Sequence, residues 1–191
     1  KYFVTRNQSA IIAFKVSRKD YSGFHIAASH SDSPTLKIKE SSEMNIENQY
    51  VKLNVEKYGG MLCAPWFDRP LSVAGRIIVK DGNRLTTKLI NVDRDLLMIP
   101  NLAIHMNREV NDGYKYNIQK DMLPLYRMSN SGKAFKEMIA EEAGVSVDQI
   151  KGMDLFLYNR MEGTVWGCDG EFISAPRLDD LQCAFTSTMA L

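Results

Sequence analysis

Two short polar motifs contain residue types that bind divalent metals, and they lie far apart in the chain. The first is His30-Ser31-Asp32-Ser33-Pro34 and the second is Arg177-Leu178-Asp179-Asp180, and each follows a run of residues typical of a β-strand. Imidazole nitrogens and carboxylate oxygens are common zinc ligands, and open α/β sheets bind ligands at the ends of their strands. The two motifs therefore predict a metallohydrolase that gathers its ligands from separate parts of the fold.

Each motif also has a purely structural explanation. Asp32 or Ser33 can hydrogen-bond its own backbone in a turn ahead of the proline, and Asp179 or Asp180 can cap the first turn of a helix. In the metal-binding interpretation, His30 is a ligand and Asp32 orients the groups around the metal. Asp179 then bridges two ions about 3.5–4 Å apart, the spacing at which paired metals activate water. The residues alone leave both interpretations open.

Composition and charge narrow the classes of function. The chain has 191 residues, of which 45% are hydrophobic and 25% charged, and its net charge is +1. This composition is typical of one large or two small globular domains, and it provides no basic field for nucleic acid or for a membrane surface. The three cysteines are widely spaced and form no CxxC pair. We therefore expect a cytoplasmic protein without nucleic-acid or membrane partners.

Hydrophobic patterns predict strands in the first half of the chain. The apolar runs Ala10–Val16 and Gly23–Ser29 are predicted to be paired strands, which places His30 at the end of a buried strand. Residues 50–56 alternate between apolar and polar side chains, as in a strand with one wet face. Two further runs, Leu71–Val79 and Leu85–Val92, flank Asp81-Gly82-Asn83 and predict a hairpin.

Helical patterns and segment order predict the overall layout. One helix is predicted from about Gly132 to Ala143, with Ser131 as N-cap and Gly144 as its end, and another from Asp179 onward. The fold class is α/β: a partial α/β domain from residues 1–40 and 170–191, interrupted by a β-rich insertion of residues 41–169. Both ends of the sequence look cut, because neither shows a start or stop signal, so we expect a piece of a longer protein.

Six segments in family order make the chain resemble the M18 family of metalloaminopeptidases, the aspartyl aminopeptidases. Any one of them is a weak signal, but together they span nearly the whole chain and are highly specific. They are Tyr2-Phe3-Val4-Thr5-Arg6-Asn7, His30-Ser31-Asp32-Ser33-Pro34, Glu56-Lys57-Tyr58-Gly59-Gly60, Trp66-Phe67-Asp68-Arg69, Ile99-Pro100-Asn101-Leu102-Ala103-Ile104-His105 and Arg177-Leu178-Asp179-Asp180-Leu181.

The resemblance implies a dinuclear zinc exopeptidase whose catalytic domain is interrupted by a dimerisation or lid domain. It implies that His30 is a zinc ligand, that Asp32 is the supporting carboxylate and that Asp179 is the metal-bridging aspartate. His105, which its apolar neighbours would otherwise mark as half-buried, corresponds to a histidine that contacts substrate in a neighbouring subunit. The implied substrates are peptides with N-terminal Asp or Glu, and the implied assembly is a dodecamer built on dimers.

The chain departs from the family pattern in two ways. Asp180 stands where Asn is common, and the adjacent Glu-Glu pair, a further Asp and a final His would all lie beyond Leu191. Glu141-Glu142 precedes Asp179 and is interpreted as a solvated helix face. We therefore expect this chain to be inactive alone and to bind zinc weakly or not at all. The alternative function is a non-catalytic oligomerisation or lid module of a peptidase-like assembly.

Overall fold

The computed structural model describes residues 1–16 and 20–191, and the chain forms two compact units. One unit, called here the discontinuous unit, consists of Lys1–Ser33 and Thr164–Leu191. The other, called the sheet unit, is Pro34–Gly163. The sequence patterns predict these boundaries at residues 40 and 170 instead. Residues 35–40 belong to the sheet unit because a long strand begins at Thr35.

The secondary structure is mixed α/β with a mostly antiparallel sheet. In chain order the elements are β1 (Tyr2–Arg6), β2 (Ala10–Phe14), β3 (Thr35–Ile46), β4 (Tyr50–Tyr58), β5 (Leu71–Asp81), β6 (Arg84–Asn91), α1 (Ile118–Asp121), β7 (Leu125–Met128), α2 (Phe135–Ala143), β8 (Ile150–Asn159), β9 (Thr164–Trp166), β10 (Phe172–Ser174) and α3 (Leu178–Ala190), with single 3-10 turns at Ala64–Trp66 and Val147–Gln149.

The sheet unit is built on six antiparallel strands in the order β6-β5-β8-β3-β4-β7. The predicted hairpin is confirmed: Asp81 pairs with Arg84 across a two-residue turn, in which Gly82 has φ +57°. Strand β4 alternates between half-buried and buried residues through Val55, as its sequence pattern predicts. All of the buried hydrophobic side chains among the described residues lie between Leu36 and Leu157, so the hydrophobic core belongs to this unit.

Helix α2 packs its apolar face on the sheet and is held there by a carboxylate. Phe135 and Ile139 are fully buried, and Glu43 of β3 accepts a hydrogen bond from the Phe135 backbone N–H at 2.7 Å. The predicted end of the helix at Gly144 is confirmed, with the glycine in the left-handed conformation. The predicted start at Gly132 is wrong, because Glu137 accepts from the Ala134 N–H and begins the helix there.

The discontinuous unit contains two small hairpins and helix α3. Strand β1 pairs with β2, and β10 pairs with β9. The predicted pairing of residues 10–16 with residues 23–29 is wrong, because β2 takes β1 as its neighbour and residues 23–29 form no strand. Among the described residues, no helix is long and apolar enough to cross a membrane.

Gly75 in strand β5 has no room for a side chain against the neighbouring strand β8, and this generates a prediction. A Cβ atom at this position would lie 2.2 Å from the Asp154 carbonyl oxygen, and φ is +152°. We expect Gly75→Ala to lower the free energy of unfolding by at least about 2 kcal/mol, because strand β8 would have to move. Urea unfolding of the chain measures the change.

Gly152→Ala is the matched control in the neighbouring strand. The nearest atom to a Cβ there is Ile78 Cγ1 at 3.9 Å, an ordinary contact. This substitution should change the free energy of unfolding by less than about 1 kcal/mol. Equal effects of the two substitutions would contradict the steric explanation.

Candidate metal centre

His30 lies in an exposed segment of the discontinuous unit rather than at the end of a buried strand. The side chains of Phe24 and Ile26, which were expected to be buried, are 76% and 85% exposed. The exposed fraction of the His30 side chain is 54%. The strand-end argument for His30 is therefore wrong in this structure, and other contacts fix its position.

Asp179 and Asp180 lie at the start of α3, where the backbone is not yet helical. Arg177 before them has φ +64°, and Asp179 has φ −87° and ψ 112°. The peptide bond between the two aspartates is cis. The Asp179 side chain is 95% exposed, whereas the Asp180 side chain is only 17% exposed.

Two hydrogen bonds join the His30 segment to the start of α3. The His30 backbone N–H donates to Asp180 Oδ2 at 3.1 Å, and Ser33 Oγ donates to the Asp179 carbonyl oxygen at 3.2 Å. The imidazole Nε2 then lies 3.7 Å from Asp179 Oδ1 and 3.8 Å from Asp180 Oδ2. The structure thus brings together the two residues for which the sequence analysis predicted metal ligation.

The other ring nitrogen of His30 fixes the tautomer. Nδ1 lies 2.9 Å from the Asp32 carbonyl oxygen and 3.3 Å from Asp32 Oδ1. A carbonyl oxygen only accepts, so Nδ1 must carry the hydrogen. In the neutral ring, Nε2 therefore carries the lone pair, and it lies 3.7 Å from Asp179 Oδ1 and 3.8 Å from Asp180 Oδ2. Asp32 orients the ring in the way that supporting groups orient a metal-binding histidine.

The electrostatics of this arrangement favour a positive charge at Nε2. The hydrogen bond to the Asp32 carbonyl raises the pKa of His30 above its ordinary value, and the nearby carboxylates of Asp180, Asp32 and Asp179 raise it further. The Nε2 lone pair lies near two carboxylates, so a cation bound to Nε2 is stabilised by their negative charge. Either a proton or a metal ion can be that cation.

Asp180 is held mainly by Cys183 and His30. Hydrogen bonds from the Cys183 thiol and from the His30 amide lower the pKa of Asp180, and the same contact with Asp180 raises the pKa of the Cys183 thiol. The Asp180 carboxylate also accepts from the Cys183 backbone N–H, which is the pattern of a helix N-cap. Asp180 therefore caps the regular part of α3, which begins after the non-helical Asp179 and Asp180, and ties the His30 segment to it.

The donor set fits part of a zinc site. Zinc binds imidazole nitrogen and carboxylate oxygen at about 2.0–2.2 Å, so two ligands of one ion lie at most about 4.2 Å apart. The separation of 3.7 Å between His30 Nε2 and Asp179 Oδ1 is within that limit. No group of three His, Cys, Asp or Glu side chains within residues 1–16 and 20–191 is arranged to hold a metal ion.

His105 belongs to the sheet unit, whereas the residues above belong to the discontinuous unit. It is exposed, in a turn-rich loop that follows the buried Ile99. Glu141 and Glu142 are also exposed, as expected for a solvated helix face. Glu141 forms an ion pair with Lys133 at 2.7 Å, and Glu142 pairs with Arg94.

Sequence reasoning missed Ser33 and Cys183 as parts of this centre. Ser33 was considered only for a local turn, whereas its hydroxyl reaches the backbone of Asp179. Cys183 lacked any motif, although its position three residues after Asp180 is the spacing of an N-cap and its partner. That spacing was the one local signal that could have identified it.

Comparisons with known proteins agree on one family. A family model described as aminopeptidase I zinc metalloprotease (M18) matches residues 1–191. A probable M18 family aminopeptidase 2 from Clostridium acetobutylicum is 48% identical over 200 residues, covering 100% of this chain and 46% of that protein. The chain thus spans about 46% of the length of this curated relative.

Two solved structures are also similar to this chain in fold and in sequence. The mApe1 structure from Chaetomium thermophilum has a TM-score of 0.84 and 36% identity, and it covers 100% of this chain and 46% of that one. The mApe1 dodecamer of Saccharomyces cerevisiae has a TM-score of 0.67 and 27% identity, covering 85% of this chain and 37% of that one.

The tautomer of His30 is directly testable. Above the pKa of the imidazole, long-range proton–nitrogen correlation spectra should show a protonated Nδ1 and an unprotonated Nε2, because Nδ1–H donates to the Asp32 carbonyl. The same measurement in concentrated urea is the control, since the preference should disappear on unfolding. A protonated Nε2 in the folded chain would contradict the geometry.

Zinc affinity of the chain gives a second test. With only His30 and Asp179 as ligands, calorimetry should detect no tight stoichiometric binding of zinc to the 191-residue chain. Any weak binding should be lost in Asp179→Asn, whereas Asp148→Asn, an exposed carboxylate in the sheet unit, should leave it unchanged. Tight binding with unit stoichiometry would contradict the partial donor set.

Proposed function

The chain belongs to the M18 family of aminopeptidases, and on this premise we propose that it is part of a zinc-dependent aminopeptidase that releases N-terminal residues from peptides. In the proposal the complete enzyme binds two zinc ions, His30 is a ligand of one and Asp179 bridges both. Asp32 supports the site by orienting His30. The ligands and the general base that complete the reaction are supplied by residues outside this chain, so the chain is inactive by itself.

One observation carries the proposal. His30 Nε2 and Asp179 Oδ1 come from opposite ends of the chain and lie 3.7 Å apart, and the hydrogen bond of Nδ1 to the Asp32 carbonyl leaves Nε2 unprotonated in the neutral ring. A structural cap alone would explain the position of Asp180 but not an oriented imidazole facing the exposed Asp179. The partial donor set and the family therefore support the same chemistry.

The roles of the residues follow from their positions. Zinc bound here would supply Lewis-acid polarisation of the scissile carbonyl and of a water molecule. Asp32 keeps Nδ1 protonated, which leaves the lone pair of Nε2 available to bind a metal ion. Asp180 and Ser33 hold the two segments in register through the His30 amide and the Asp179 carbonyl. Asp179, as the most exposed of these carboxylates, has room for a second ion.

The substrate and the assembly belong to the same proposal. We assign the enzyme a preference for N-terminal Asp or Glu, which rests on the resemblance to the aspartyl aminopeptidases. The sheet unit is the dimerisation or lid insertion, and His105 contacts substrate in a neighbouring subunit. Leu85 and Leu89 on the edge strand β6 are 66% and 84% exposed, which suits a contact with another copy. We place the protein in the cytoplasm.

A second candidate function is a non-catalytic oligomerisation module. The observation that favours it is the distribution of the core: the sheet unit has a complete hydrophobic interior and an apolar edge, whereas the metal centre has only part of its ligands. The two functions differ in their outcome for the full-length protein. A module would assemble into a homo-oligomer and show no peptidase activity with any divalent metal.

Activity of the full-length protein that contains this chain tests the main proposal. With zinc, manganese or cobalt present, it should hydrolyse aminoacyl substrates with N-terminal Asp or Glu faster than those with neutral residues. Asp179→Asn should lower kcat by at least about 100-fold, since the bridging carboxylate is lost. The rate of release of the N-terminal amino acid measures both effects.

The control for this experiment is Asp148→Asn, which removes an exposed carboxylate from the sheet unit and should leave kcat and KM unchanged. Purified 191-residue chain, assayed alongside, should show no activity. Full activity in Asp179→Asn, or an inactive but oligomeric full-length protein, would overturn the catalytic proposal.

A further inference from the structure

The loop that carries His105 has exposed apolar side chains. Because these side chains are not buried, contacts at the two ends of the loop must hold it in place. We define the His105 loop as residues 101–117, between the buried Ile99 and helix α1. Leu102, Ile104 and Met106 at its tip are 64%, 48% and 74% exposed. Short turns stiffen the tip locally, such as the hydrogen bond from Met106 N–H to the Ala103 carbonyl at 2.8 Å. These turns do not fix the direction in which the loop projects.

Asp68 fixes the first residue of the loop by two bonds. Asp68 Oδ1 accepts from the Asn101 backbone N–H at 2.8 Å, and Asp68 Oδ2 accepts from Asn101 Nδ2 at 2.9 Å. The Asp68 backbone N–H donates to the Ile99 carbonyl at 2.9 Å. One residue thus holds both sides of Pro100, and two oxygens of one carboxylate define an orientation as well as a distance.

The backbone of Asp68 shows that this arrangement is specific. Asp68 has φ +55°, a left-handed conformation that is unfavourable for most residues other than glycine and that Asp and Asn tolerate best. In this conformation the carboxylate and the amide of the same residue both face the chain at residues 99–101. Asp68 belongs to the Trp66-Phe67-Asp68-Arg69 motif, to which the proposed function assigns no role.

The far end of the loop is anchored beside the near end. Phe67, which is 6% exposed, packs its ring 4.9 Å from the ring of Tyr116. The Asp121 carboxylate accepts from the Asn117 backbone N–H at 2.6 Å. Adjacent residues Phe67 and Asp68 therefore hold both ends of the His105 loop, one by apolar packing and the other by hydrogen bonds.

From these contacts we infer that Asp68 is a positioning residue for the His105 loop, acting through Asn101 to set where the exposed tip projects. The inference rests on the proposed function, in which His105 contacts substrate. Asp68 itself touches no substrate. Its loss should leave the sheet unit folded, because its carboxylate is exposed and makes no contribution to the hydrophobic core.

A reciprocal exchange tests the inference. Asn101→Asp places two carboxylates against each other, and we expect faster backbone hydrogen exchange in residues 102–107 and a roughly 10- to 100-fold lower kcat/KM in the full-length protein. In the double variant with Asp68→Asn and Asn101→Asp, the side-chain amide at position 68 donates to the carboxylate at position 101. The amide oxygen at position 68 still accepts from the backbone N–H of residue 101. The pair should therefore recover both slow exchange and kcat/KM. Asp68→Ala should behave like Asn101→Asp and should not be rescued.

Asn45→Ala is the matched control. It removes a side-chain bond to the Asn48 N–H, 3.0 Å long, from the β3–β4 turn, and it should alter exchange only there and leave kcat/KM unchanged. A merely structural role of Asp68 would lower the free energy of unfolding and speed hydrogen exchange throughout the sheet unit, rather than only in residues 102–107. Unchanged exchange in Asn101→Asp, or no recovery in the double variant, would overturn the inference.

His105→Ala separates this inference from the proposed function. If His105→Ala lowers kcat/KM and the Asp68 variants do not, the positioning role is wrong and the proposed role of His105 stands. If His105→Ala has no effect, the proposed role of His105 is wrong. The hydrogen exchange of residues 102–107 in the exchanged pair then still decides whether Asp68 orders the loop.

Discussion

The hydrogen bond from the His30 amide to the Asp180 carboxylate joins two segments 150 residues apart, and the candidate metal centre depends on it. Without this bond only the Ser33 hydroxyl would hold the His30 segment near Asp179, because neither the imidazole nor the Asp179 side chain is buried. The bond has a charged acceptor and is therefore stronger than one between neutral groups. Asp180 also caps α3, so the first turn of that helix and the His30 segment are positioned by the same carboxylate.

The two ends of the sheet unit lie next to each other within its own sheet. Strands β3 and β8 are antiparallel neighbours, with Lys37 opposite Phe156, and Thr35 Oγ1 donates to the Leu157 carbonyl at 2.6 Å. The first strand of this unit therefore starts beside the point where its last strand ends. The unit also has its own hydrophobic core, so its fold is determined by its own residues.

Local patterns predicted those elements whose partners are near in sequence. The β5–β6 hairpin, the alternation in β4 and the end of α2 at Gly144 are all determined by neighbouring residues, and they are confirmed. The strand expected at residues 23–29 is wrong because a continuous apolar run forms a strand only if a neighbour pairs with it, and β2 pairs with β1. Strand β3 was missed because its centre is rich in Ser and Glu, although Leu36 and Ile38 are buried.

The sequence predicted that His30 and Asp179 would lie close together, but part of the reasoning behind that prediction was wrong. That His30 and Asp179 would meet followed from the resemblance and from the expectation of strand ends; the structure brings them together through Asp180 and Ser33 instead. The roles of His30, Asp32, Asp179 and His105 stay predictions. Sequence patterns could not reveal the bonds made by Asp180 and Ser33. A side chain that bonds the backbone of a distant segment leaves no periodicity in either segment.

The same type of contact recurs at the points where this fold leaves regular structure. Among the described residues, carboxylates that accept a backbone N–H include Glu43 from Phe135, Asp68 from Asn101, Asp121 from Asn117 and Asp180 from His30. Apolar packing cannot order chain that has to stay exposed, because order by burial would remove the exposed surface. A carboxylate has no such requirement: it satisfies an N–H group that secondary structure leaves unpaired and it fixes direction while the side chains beyond remain in solvent. That property explains why an acidic residue stands beside Phe67 at the base of the His105 loop, and why acidic residues hold the candidate metal centre.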